Sequence, residues 1–130
     1  MKRVIGFGGV FFKAEKPEEL AEWYRKHLGF DVQDWGGVTF REGATADLEP
    51  RREAYITWSP FEAGTEYFAP STKGFMLNFR VQDLDQVLAE LRREGVAVEE
   101  KTESSEFGKF SWLMDPEGTK IELWEPPLAQ

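Results

Sequence analysis

Two copies of one punctuation pattern recur in the chain at a fixed spacing. Gly29-Phe30-Asp31-Val32 stands 66 residues before Gly95-Val96-Ala97-Val98, and Trp58-Ser59-Pro60 stands 66 residues before Trp124-Glu125-Pro126. Twice that spacing is close to the full length of 130 residues. The first strands match at a spacing of 67, so one residue is gained or lost near the helix starts. A unit used twice restricts the fold to two similar halves, each too small to bury a sheet by itself.

Each half begins with a strand and a helix. Val4 to Lys13 is rich in Val, Ile and Phe and reads as a strand. Gly6, Gly8 and Gly9 lie inside it, which points to a bulge or a close backbone approach, not to a dinucleotide-binding turn. Pro17 to Leu28 reads as a helix, with Glu18 and Glu19 at its positive end and Gly29 just past its end. Leu20, Trp23, Tyr24, His27 and Leu28 form its apolar stripe. Phe30 to Gln33, Gly37 to Arg41 and Tyr55 to Trp58 read as short strands, and the polar segment Glu42 to Glu53 as a loop.

The second half repeats the order. Phe75 to Val81 is a strand; Asp83 caps a helix whose stripe is Leu84, Val87, Leu88 and Leu91, and Gly95 ends it. Val96 to Val98, Phe110 to Met114 and Lys120 to Trp124 are strands, the last fed by the tight turn Asp115-Pro116-Glu117-Gly118. Thr102 to Gly108 reads as a solvated hairpin or as a loop over a cup mouth. The expected fold is α+β, with tandem βαβββ modules over 1–61 and 75–130 and a linker over 62–74. The modules would share a curved mixed sheet, a half-barrel cup with helices on its outer face. Aromatic residues at 58, 61, 67 and 68 make the linker an ordered crossover, not a flexible tether.

Composition narrows the partners. The net charge of −8 disfavours nucleic acid and anionic membranes, whose phosphates would be repelled. The absence of cysteine excludes disulfides, thiolate metal sites and cysteine nucleophiles. No basic leader followed by an apolar run opens the chain, and no stretch reaches the roughly 18 apolar residues of a membrane span, so a cytoplasmic protein is expected.

Three stretches carry a family resemblance. Trp23-Tyr24-Arg25-Lys26-His27-Leu28-Gly29-Phe30 resembles a helix end of the form FYxxxLGF. Phe79 to Asp85 and Asp115 to Leu123 resemble the second-module strand-to-helix start and the last hairpin of the same family. In this order the chain resembles the vicinal oxygen chelate superfamily, which groups glyoxalases, bleomycin-resistance proteins and extradiol dioxygenases. The resemblance implies paired βαβββ modules and a site on the concave face. Metal-using members place four ligands there, usually His on each module's first strand and Glu on each module's last. Carried over, the last-strand Glu matches Glu122, but its mate falls on Ile56 and the first-strand positions fall on Gly9 and Met76. Gly and Ile offer no ligand atom, and a thioether suits none of the hard cations. The lone His27 lies on a helix stripe. No metal and no cofactor is therefore expected.

Strand alternation separates the faces. If Glu122 faces the cup, Lys120 and Trp124 do too, and Ile121 and Leu123 face the helices. Met76, Asn78 and Arg80 join the cup face, as do Gly9, Phe11 and Lys13; Leu77, Phe79 and Val81 lie under a helix. The 66-residue spacing puts Trp58 opposite Trp124, and Tyr67, Phe68 and Trp112 are further wall candidates. The candidate ligand-binding set is Glu122, Trp124, Trp58, Met76, Asn78, Arg80, Phe11, Tyr67 and Trp112, with Glu122 also a candidate general base.

Three functions remain open. The chain could bind a small organic molecule, planar or cationic, in an aromatic cup. It could be an isomerase, lyase or dioxygenase with Glu122 as base or a rebuilt metal site. It could be a structural or regulatory dimer whose cup its own side chains fill. A homodimer is expected, and the two modules could complete their core by pairing within one chain or by swapping between two.

Overall fold

The computed structural model describes residues 3–28, 30–41 and 55–128. The expected loop Glu42 to Glu53, the helix-ending Gly29 and the side chain of His27 lie outside the described residues. The chain order is β1 (Val4–Ala14), α1 (Pro17–Leu28), β2 (Val38–Arg41), β3 (Tyr55–Glu62), β4 (Phe75–Val81), α2 (Leu84–Arg93), β5 (Glu103–Ser105), β6 (Gly108–Met114) and β7 (Lys120–Glu125).

The strands form one mixed sheet in the order β2-β3-β1-β4-β7-β6-β5. In each half the first strand pairs in parallel with the last, β1 with β3 and β4 with β7. The halves meet within one chain through the antiparallel pair β1–β4. This is the α+β half-barrel of paired modules that the repeat implied.

The glycines of β1 make that seam possible. Its pairing with β4 shifts register between Val4 and Gly6 and again between Phe7 and Gly9. Gly9 has φ +141°, and a Cβ there would stand 2.1 Å from the carbonyl oxygen of Thr57. A Cβ on Gly8 would stand 1.7 Å from Oδ1 of Asn78. Bulge and close approach thus both occur in the one strand.

Both helices cover the same face. Asp83 caps α2 by accepting from the Gln86 N–H at 3.1 Å, and Glu125 accepts from the Leu84 N–H at 2.9 Å. Leu84, Val87 and Leu88 then bury against Val81 and Leu123. In the first half, Tyr24 of α1 packs on Trp58 with ring centroids 4.7 Å apart. On the opposite face Phe68, Met76 and Trp112 form a second buried cluster, flanked by Phe11, Phe61 and Phe110. Among the described residues no helix is long and apolar enough to cross a membrane.

Three expectations change. Phe30 to Gln33 is not a strand: Gln33 N–H donates to the Gly37 carbonyl at 2.8 Å and Gly36 N–H to the Gln33 carbonyl at 2.9 Å, so the segment is used in turning. Val96 to Val98 makes only a single bridge, Val98 to Leu113, because Val96 N–H instead donates to the Leu91 carbonyl and closes α2. β3 runs on past Trp58 to Glu62. It carries Pro60 because β2 stops opposite Trp58, so only β1 pairs there among the described residues. Of the two readings of Thr102 to Gly108 the hairpin is observed, with Ser105 paired to Gly108.

Candidate functional site

Register builds the site around Glu122. The parallel pairing of β4 and β7 sets Asn78 beside Glu122, and the antiparallel pairing of β6 and β7 sets Trp112 on its other side. Paired residues share a face, so an amide and an indole flank the carboxylate. Asn78 Nδ2 donates to Oε1 at 2.6 Å, and Trp112 Nε1 donates to Oε2 at 2.8 Å. A third donor arrives from the segment between β3 and β4: the Tyr67 hydroxyl donates to Oε2 at 2.7 Å.

Glu122 is 2% exposed. Burial pushes its carboxyl above the usual carboxylate range, while the three donors and the nearby Lys120 pull it back. Burial also pushes the Tyr67 phenol well up, helped by the adjacent carboxylate. Lys120, buried on the same face, donates from Nζ to the Tyr67 carbonyl at 2.6 Å and stands 5.2 Å from the Tyr67 ring centroid. It therefore anchors the segment that delivers the phenol.

Above this cluster opens a cavity of about 570 Å³. Phe11, Tyr67 and Glu122 line it. Thr57, Ser59 and Phe61 of β3 make one wall. The β5–β6 hairpin makes the other with Glu103, Ser104, Ser105, Phe107 and Phe110, and Trp35 stands at the rim. Among the described residues no lysine or arginine lines it, while two carboxylates do.

The expected residues therefore divide. Phe11, Tyr67 and Glu122 line the cavity. Met76, Asn78 and Trp112 lie on the same face one layer deeper, each no more than 3% exposed. Arg80 is buried further along β4. Trp124 also points to the concave side, but Phe110 stacks on it at 6.2 Å and 8°, and its N–H donates to the Phe107 carbonyl at 2.6 Å. It braces the hairpin wall and does not line the cavity.

Trp58 is a correction. Its ring packs on Tyr24, Phe30 and Phe12, under α1. Gly9 lies opposite Thr57 and Phe11 opposite Ser59, so the odd-numbered residues of β3 face the cup, while in β7 the even-numbered ones do. A 66-residue offset preserves parity and so assigns β3 to the wrong face. Thr57, Ser59 and Phe61 were missed for that reason. Trp35 sits in a turn, where alternation carries no signal.

Among the described residues the donor set around Glu122 does not suit a metal ion. Among the described residues no cluster of three or more His, Asp or Glu side chains could hold one. The Glu122 oxygens already accept three hydrogen bonds, and their donors, an amide, an indole and a phenol, stand where further ligands would be needed.

The model of the glyoxalase-like domain family matches residues 9–124. No curated protein sequence matches the chain. Among solved structures, methylmalonyl-CoA epimerase from Mycobacterium tuberculosis superposes with a TM-score of 0.61 at 23% identity, over 97% of this chain and 91% of that one. A variant of the Streptomyces coelicolor methylmalonyl-CoA epimerase, in complex with 2-nitronate-propionyl-CoA, gives 0.67 at 19% identity, over 95% and 98%. A glyoxalase/bleomycin resistance protein/dioxygenase superfamily member from Vibrio splendidus 12B01 gives 0.54 at 13%, over 89% and 95%.

Proposed function

We propose a function from one premise: the chain belongs to the glyoxalase-like domain family, within the vicinal oxygen chelate superfamily. The proposed function is binding of a small organic molecule in the concave cup without a metal ion. The observation that carries it is the cavity itself: about 570 Å³, walled by Phe11, Phe61, Phe107 and Phe110, with hydroxyls from Thr57, Ser59, Ser104 and Ser105. That volume and that mix of apolar wall with a few polar groups suit a ligand of drug size. The absence of cationic lining residues among the described residues and the presence of Glu103 and Glu122 favour a neutral or cationic molecule over an anion. The open volume also weighs against a cup filled by the chain's own side chains.

Calorimetric titration against a library of planar neutral and cationic compounds, with metal content measured on the same preparation, tests this. Saturable binding without stoichiometric metal supports it. Stoichiometric divalent metal, or no binder at all, overturns it.

One observation favours a second reading. The raised Glu122 carboxyl contacts the cavity, and a carboxylate made more basic by burial suits proton abstraction. Loss of proton from small carbon acids in heavy water, abolished by Glu122→Gln, would support a lyase or isomerase.

A further inference from the structure

Resting on the cup reading above, we infer that the Tyr67 hydroxyl is the specificity-determining polar group of the cavity, and that it presents a hydrogen-bond acceptor, so that the ligand must bring an N–H or O–H to it. The three donors to Glu122 are not equivalent. Asn78 and Trp112 are 2% and 3% exposed and do not line the cavity, whereas Tyr67 is 38% exposed and does. Its phenol oxygen is 2.7 Å from Oε2, and Tyr67 and Glu122 both line the cavity.

A phenol has one hydrogen and two lone pairs. The hydrogen is committed to a buried carboxylate oxygen, a charge-assisted bond of the stronger kind. Turning it toward a ligand would leave Oε2 with the Trp112 N–H alone. What remains for the cavity is the acceptor side of the phenol oxygen, its lone pairs. The hydroxyl is held in place because Lys120 clamps the Tyr67 carbonyl at 2.6 Å and the ring packs on Phe61, with centroids 5.5 Å apart. Glu122 is then a positioning residue: it fixes the polarity of the phenol as well as its place.

A matched pair of probes tests this: 2-naphthol, which carries an O–H, and 2-methoxynaphthalene, which has the same ring but no donor. Calorimetric affinities are compared for the wild-type protein and Tyr67→Phe. The expected result is that wild type prefers 2-naphthol by about tenfold, the worth of one good hydrogen bond. In Tyr67→Phe the ratio of the two affinities should fall to about one. Equal affinities in wild type overturn the inference while leaving the cup reading intact. So does a preference that survives in Tyr67→Phe, which would transfer the role to Thr57 or Ser59. Binding of neither probe overturns the cup reading and the inference together.

Discussion

Replacing Glu122 in two ways separates the charge of the carboxylate from its role as an acceptor. Glu122→Ala removes the acceptor for three donors at once. Two of them, on Asn78 and Trp112, are buried, and each orphaned buried donor costs about 1–3 kcal/mol. Tyr67 faces the cavity and can turn to water, so the expected loss is about 2–6 kcal/mol. Glu122→Gln keeps the shape and one oxygen. That oxygen can serve Tyr67 and Trp112, leaving the new amide facing Asn78. There the Asn78 amide can rotate by a half-turn and offer Oδ1, which is buried with no hydrogen-bond partner. The half-turn puts Nδ2 where Oδ1 had no partner, so one buried donor is left over and the expected cost is about 1–3 kcal/mol, below that of the two orphaned donors in Glu122→Ala. Urea unfolding should show a clearly lowered midpoint for Glu122→Ala and a smaller drop for Glu122→Gln, with similar slopes. Equal midpoints for the two variants would refute the view that hydrogen-bond satisfaction, and not charge, holds this cluster.

The same pair predicts a pH dependence. A carboxyl raised in the folded state keeps its proton where the unfolded chain has lost it, so wild-type stability relative to Glu122→Gln should fall as pH rises above the usual carboxylate value. The slope is bounded by about 1.4 kcal/mol per pH unit for one proton, and a relative stability flat with pH in urea unfolding would count against the raised carboxyl. Gly9→Ala should destabilise by at least about 1–3 kcal/mol from its backbone angle, with the contact to Thr57 adding more; a thermal midpoint like that of wild type would contradict the bulge. Phe107→Ala and Trp35→Ala should change stability little, since the two residues are 64% and 52% exposed, yet weaken binding of a naphthalene probe by calorimetry. Unchanged affinity in both would remove the hairpin and the rim from the site.

Regular strands were legible and irregular joins were not. β7 alternates without interruption, so Lys120, Glu122 and Trp124 fall on one face as expected. The cup face falls on odd positions in β3 and on even ones in β7, and a 66-residue offset, which preserves parity, moved Trp58 into the cup and left Ser59 out. Alternation also reports only which face a side chain is on. It could not show that Trp124 is walled off by Phe110 and the Phe107 carbonyl, because that depends on a hairpin of polar residues with weak strand signal. The bond from Tyr67 to Glu122 spans 55 positions and rests on how the intermodule segment folds back, which no local pattern encodes.

The most direct test of the metal-free cup is a crystal structure grown with 2-naphthol and excess manganese, using the anomalous signal of manganese to locate it. The account predicts ring density between Phe61, Tyr67 and Phe107, the Glu122 oxygens still bonded to Tyr67, Asn78 and Trp112, and no anomalous peak beside them. An anomalous peak coordinated by Glu122, with Tyr67 displaced, would contradict it.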